Sequence, residues 1–73
     1  MAISADRLKQ LRKVKGVTQK QLAEILGITE RHYRKYEAGA VDPPTSTSVK
    51  LSDYFNVSLD YLVGKTDNPE INK

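Results

Sequence analysis

Residues 18 to 39, TQKQLAEILGITERHYRKYEAG, decide the fold. Thr18 followed three residues later by Gln21 is a capping box that opens a helix, with Val17 placed to staple onto Leu22. Leu22, Ala23 and Leu26 form its apolar stripe, and Gly27 supplies the left-handed residue that stops it. Thr29 caps a second helix, which the pattern carries to about Ala38 before Gly39 ends it. Two helices separated by so short a turn must cross steeply. On the second, Arg31, Arg34 and Lys35 fall within a sector of roughly 100°, while Tyr33, Tyr36 and Glu37 lie on the opposite side. Packing accounts for the tyrosines. The concentrated cationic side calls for a polyanion.

Outward from this stretch, the upstream segment reads as a helix from Ser4, its N-cap, to about Lys15, with Ile3 stapled onto Leu8 and Gly16 as terminator. Arg12 lies about 40° from Leu8 and so inside the apolar stripe, where a charge needs a partner. Downstream, Pro43 and Pro44 enforce a loop over AVDPPTS, and a fourth helix is expected over residues 45–55. Thr45, Ser48, Ser52 and Phe55 give that helix an unusually polar inward stripe. Asn56 breaks it, Ser58 caps a short last helix, LDYLV, with Leu59 and Leu62 in the core, and Gly64 ends it. The expected fold is all-α, five helices in one domain over residues 1–64, with residues 65–73 a polar tail or the start of a linker.

A chain of 73 residues makes one small domain with little room for a catalytic cleft. No cysteine is present, so neither disulfides nor thiolate metal sites contribute, and no apolar run approaches a membrane span. A cytoplasmic location is expected. Net charge is only +3, but residues 1–37 hold nine Lys/Arg against four acids, whereas residues 38–73 hold three against five. The first three helices therefore face the polyanion. His32 is the sole histidine and lies between the two faces of its helix, so no metal and no cofactor is expected. No nucleophile, base and orienting group are placed together, which argues against an enzyme.

The five segments and their punctuation resemble the phage-repressor, XRE-like type of helix-turn-helix domain. The resemblance covers about residues 4–64 and is carried by LKQLRKVKGVTQKQLAEILGI, the EAG after the third helix, Pro43, and LSDYFNVSLDYLVG. It implies that Arg12 and Glu37 form an internal ion pair, that Gln19 meets a phosphate, and that Glu30, Arg31 and Lys35 face base edges. Arg34 lies beside them, within reach of a base or the backbone. Arg and Lys donate to guanine O6 and N7, and Glu30 accepts from cytosine N4 or else complements the helix dipole. Lys9, Lys13 and Lys20 supply attraction to phosphates. The chain departs from relatives in having Ala38, Ala40, Val41 and Asp42 where basic or amide side chains are frequent. Phosphate contacts there must come from backbone N–H groups or be missing.

The expected partner is double-stranded DNA, and the expected function is a sequence-specific transcriptional regulator, a repressor binding a palindromic operator as a homodimer. Tyr54, Tyr61 and Val63, in the half with net negative charge, are the expected dimer interface. The alternative is a protein-interaction module, an antitoxin or adaptor whose DNA binding is secondary and autoregulatory.

Overall fold

The computed structural model describes residues 2–70. Its elements are α1 (Ala5–Lys15), α2 (Gln19–Leu26), α3 (Glu30–Glu37), α4 (Thr45–Phe55) and α5 (Leu59–Leu62), with no strand among the described residues. None of these helices is long and apolar enough to cross a membrane.

The punctuation acts where the local chemistry requires. Ser4, Thr18, Thr29 and Ser58 each accept a hydrogen bond from the backbone N–H three residues on. At Thr18 the box is complete, because the Gln21 side chain accepts from the Thr18 N–H at 2.9 Å. The turn between α2 and α3 passes through Gly27 at φ 72°, a conformation that a β-carbon would strain. Asn56 takes the same left-handed role at φ 54° and ends α4.

The core is one cluster, Leu8, Leu22, Ala23, Leu26, Tyr33, Tyr36, Leu51 and Leu62. Ile3, Leu11, Val17, Ile28, Tyr54 and Phe55 pack against it half-buried. α3 lies against both α1 and α2, while α4 lies against α5. Tyr33 and Tyr36 are the largest fully buried side chains, and each stabilises the fold by roughly 1.5–3 kcal/mol relative to an exposed ring. The two rings meet edge to face at 6.2 Å. This anchors one side of α3 and leaves the other in solvent.

α1 is tied to the end of α3 by a charged cluster. Arg12 Nε donates to Glu37 Oε2 at 2.5 Å, its Nη2 donates to Oε1 at 3.2 Å, and its Nη1 donates to the Val17 carbonyl at 3.0 Å. The Tyr33 hydroxyl donates to Glu37 Oε2, and Gln19 Nε2 donates to Oε1 at 3.2 Å. Burial by itself would push the Glu37 carboxyl up; the bonds from Arg12, Tyr33 and Gln19 outweigh it and hold the group below the ordinary carboxylate value. The bond to Glu37 raises the Arg12 guanidinium against a smaller loss from burial. Burial, and then the neighbouring carboxylate, raise the Tyr33 phenol.

Two expectations for the C-terminal half are corrected, those for Thr45 and Leu59. Thr45 is exposed, and the buried residues of α4 are Ser48, Leu51 and Ser52, because Leu51 and not Thr45 completes the helical stripe. Leu59 is only half-buried, on the wall of a groove between α4 and α5. Residues 65–70, expected as tail, fold back: Arg7 Nη1 donates to the carbonyls of Tyr61 and Thr66, both at 2.8 Å, Nη2 meets Asp67 at 3.1 Å, and the Ser58 N–H donates to the Pro69 carbonyl. Residues 71–73 of the expected tail lie outside the described residues.

Glu37 has only 4% of its side chain exposed, so Glu37→Ala strands a buried guanidinium and is expected to cost about 3–5 kcal/mol in urea unfolding at neutral pH. Because the folded pKa lies below the unfolded one, this carboxylate's contribution is complete above the unfolded value and disappears as pH falls through the folded value. The loss of stability as pH falls below the ordinary carboxylate range is therefore shallower in Glu37→Gln than in the parent. Equal acid slopes would show that Glu37 is not held as a carboxylate. A second expectation concerns Ser48, whose Oγ is fully buried without a hydrogen-bond partner among the described residues. Ser48→Ala removes that penalty and raises stability by about 1 kcal/mol; a lower midpoint in urea would mean that the hydroxyl is satisfied.

Candidate nucleic-acid interface

Anchoring by Tyr33 and Tyr36 leaves Arg31, Arg34 and Lys35 exposed on the outer side of α3. Among the described residues, Arg31 and Lys35 form neither an ion pair nor a side-chain hydrogen bond. They are two cations on one exposed helical face, one turn apart, directed away from the core. Such side chains suit hydrogen-bond acceptors on a surface wide enough to admit a helix, as the major groove of B-DNA is.

Arg34 differs. Its Nη2 donates to Glu30 Oε2 at 2.7 Å, an i,i+4 pair, and its Nε donates to Gln19 Oε1 at 3.3 Å. Glu30, expected toward a cytosine, is thus engaged along its own helix. Gln19, expected on a phosphate, has both ends of its amide inside the protein, toward Glu37 and Arg34. The cause is geometric: Gln19 opens α2 where that helix lies against α3, and a carboxylate and a guanidinium flank it. Glu37 only accepts and Arg34 only donates, so a single orientation of the amide satisfies both.

Lys9, Lys13 and Lys20 are exposed, as attraction to phosphates requires. Past α3, Ala38, Ala40, Val41 and Asp42 are exposed and offer no cation. α4 begins at Pro44 without a side-chain cap, so the N–H groups of its first turn have no side-chain acceptor there. That helix end and its dipole favour an anion.

On the other half, Tyr54, Tyr61 and Val63 are half-buried. The Arg7 guanidinium carbon sits 4.1 Å from the Tyr61 ring centroid and Lys15 Nζ 4.3 Å from that of Tyr54, so a cation covers each ring. The role of Arg7 carried no local signal, because its acceptors are more than fifty residues away along the chain. A groove of about 350 Å³ lies alongside, walled by Val49, Val57 and Leu59 and rimmed by Asp53 and Asp60. His32 stacks edge to face on Tyr36 at 5.1 Å, and no three metal-binding side chains cluster among the described residues.

Comparison with known proteins agrees with this geometry. Residues 8–62 match the model of a helix-turn-helix family. The chain is 48% identical over 61 residues to the HTH-type transcriptional regulator ImmR of Bacillus subtilis, covering 84% of this chain and 48% of that protein. It is 38% identical over 60 residues to the cryptic phage CTXphi transcriptional repressor RstR of Vibrio cholerae, covering 82% of this chain and 54% of that protein. The chain therefore spans about half the length of the curated relatives it matches. Among solved structures, a transcriptional regulator from Listeria innocua superposes with a TM-score of 0.81 at 28% identity, covering 100% of this chain and 64% of that one. With its capped α2 and α3 crossing at Gly27, its five-helix order and these relatives, the chain belongs to the XRE-type helix-turn-helix family of DNA-binding regulators, not to a family of enzymes.

Proposed function

We propose that this chain is the DNA-binding part of a cytoplasmic transcriptional repressor that reads a palindromic operator as a homodimer, with α3 in the major groove. The observation that carries the reading is the division of α3: two tyrosines fixed in the core on one side, and Arg31 and Lys35 bare on the other. In this reading Arg31 and Lys35 donate to base edges, joined by Arg34. Lys9, Lys13, Lys20 and the first turn of α4 attract phosphates. Gln19 supports α3, and the second N–H of its amide is the donor left for a phosphate.

One helix of this length contacts few base pairs, so discrimination in a genome requires two, about one helical turn apart. The half with net negative charge is the better place for self-association, since basic faces repel each other. There α4 supplies Val49, α5 supplies Leu59 and the residue after α5 is Val63, while Tyr54 and Tyr61 lie under their cations. The same groove is what a partner protein would use, were the chain an antitoxin or adaptor.

Selection of bound duplexes from a random pool tests specificity and symmetry together. The expected product is two inverted half-sites. On that operator Arg31→Ala and Lys35→Ala each cost about 1–3 kcal/mol and relax preference at one base pair, whereas Lys9→Ala or Lys13→Ala weakens all sequences evenly and lowers the salt slope. A flat pool contradicts sequence reading and favours the partner-binding role; a lone half-site contradicts the homodimer. Equal losses for Arg31→Ala on operator and random DNA place that residue on phosphate.

A further inference from the structure

Three arginine or lysine side chains share the outer face of α3, yet among the described residues only Arg34 already has protein acceptors. Its Nη2 is engaged by Glu30 at 2.7 Å and its Nε by Gln19 Oε1 at 3.3 Å. Glu30 stands four residues before Arg34, the favourable polarity for such a pair on a helix. Gln19 cannot turn away without breaking its bond to the buried Glu37. Arg34 is thus held along its helix from two directions, one of them set by the core.

We propose that Glu30 is an internal competitor for Arg34, retaining its guanidinium unless DNA presents a better-matched acceptor, and that it thereby limits what Arg34 adds to operator binding. The inference rests on the proposed reading of DNA by α3. Its size follows from exposure. The Arg34 and Glu30 side chains are 59% and 36% exposed, so the pair is weak and biases the choice without blocking contact. A random phosphate meeting Arg34 exchanges one carboxylate-like partner for another and gains little. Guanine O6 and N7 together accept two N–H groups in one plane, so on a matched base Arg34 leaves Glu30 and the cost of breaking the pair is felt in full. Among the described residues Arg31 and Lys35 have no such competitor and meet DNA without this exchange.

The test compares Glu30→Gln, which keeps size and removes the charge, with Glu24→Gln, which removes an exposed acid from α2. Each is made in the parent and in an Arg34→Met background, and affinities are measured on the selected operator and on a random duplex at one salt concentration. Glu30→Gln is expected to bind the operator about two- to fivefold tighter than the parent, beyond any gain in Glu24→Gln, with a smaller change on the random duplex. That excess disappears without Arg34. Equal gains in the two acid variants, or an excess that persists in the Arg34→Met background, overturn the proposal. So does a loss confined to one base pair of the operator that persists without Arg34, since Glu30 would then read a base itself. A flat selected pool would refute base reading by α3, an outcome distinct from equal gains of the two acid variants on a selected operator, which would refute competition alone.

Discussion

A carboxylate almost out of reach of water has to be neutralised from within the protein, and at Glu37 this requirement organises the domain. Arg12 comes from α1, Gln19 from the start of α2, and Tyr33 from one turn earlier on α3 itself. Three helices are thereby fixed around two oxygen atoms. Apolar packing alone would hold Tyr33 and Tyr36 inward but would tolerate small rotations of α3 about its axis, since two rings in a small core can repack. Directional bonds to Glu37 resist such rotation. Exchanging a buried ion pair for apolar groups is often neutral in stability, so the cluster is better understood as setting orientation.

Orientation matters because the outer face of α3 is short. Arg31 and Lys35 lie one helical turn apart, and a modest roll of the helix would carry one of them out of any groove that held the other. The network continues outward from Glu37 through Gln19 to Arg34 and Glu30, so a buried carboxylate and an exposed ion pair belong to one chain of hydrogen bonds. At the opposite end, Arg7 clamps the carbonyl of Tyr61 in α5 and that of Thr66 beyond it and lies over the Tyr61 ring, joining the first helix to the last. The two arginines of α1 thus fasten the two halves of the fold, and the lysines beside them remain in solvent.

Much of this was readable before any coordinates. Ser4, Thr18 with Gln21, Thr29 and Ser58 announce helix starts, and Gly16, Gly27 and Asn56 announce stops, because capping and left-handed turns depend on a few neighbouring residues. The tyrosine and cation faces of α3 follow from periodicity. The partner of Arg12 was readable only through family resemblance. What stayed hidden depends on contacts distant in sequence. Gln19 looks solvent-facing until α3 is laid beside it, and residues 65–70 look like tail until Arg7 reaches them. Thr45 was misplaced because a stripe of hydroxyls in α4 has no strong apolar period to fix its register, whereas Leu51 does lie in the core.

The central claim is that the Glu37 cluster serves the aim of α3 more than the stability of the domain. The most direct measurement is the ratio of operator to random-duplex affinity in an Arg12→Met/Glu37→Leu double variant that circular dichroism shows to be folded. The account predicts that helix content is retained while the ratio falls by about tenfold or more, one step of 1.4 kcal/mol, because α3 is free to roll. A folded double variant with the parent's ratio would contradict it.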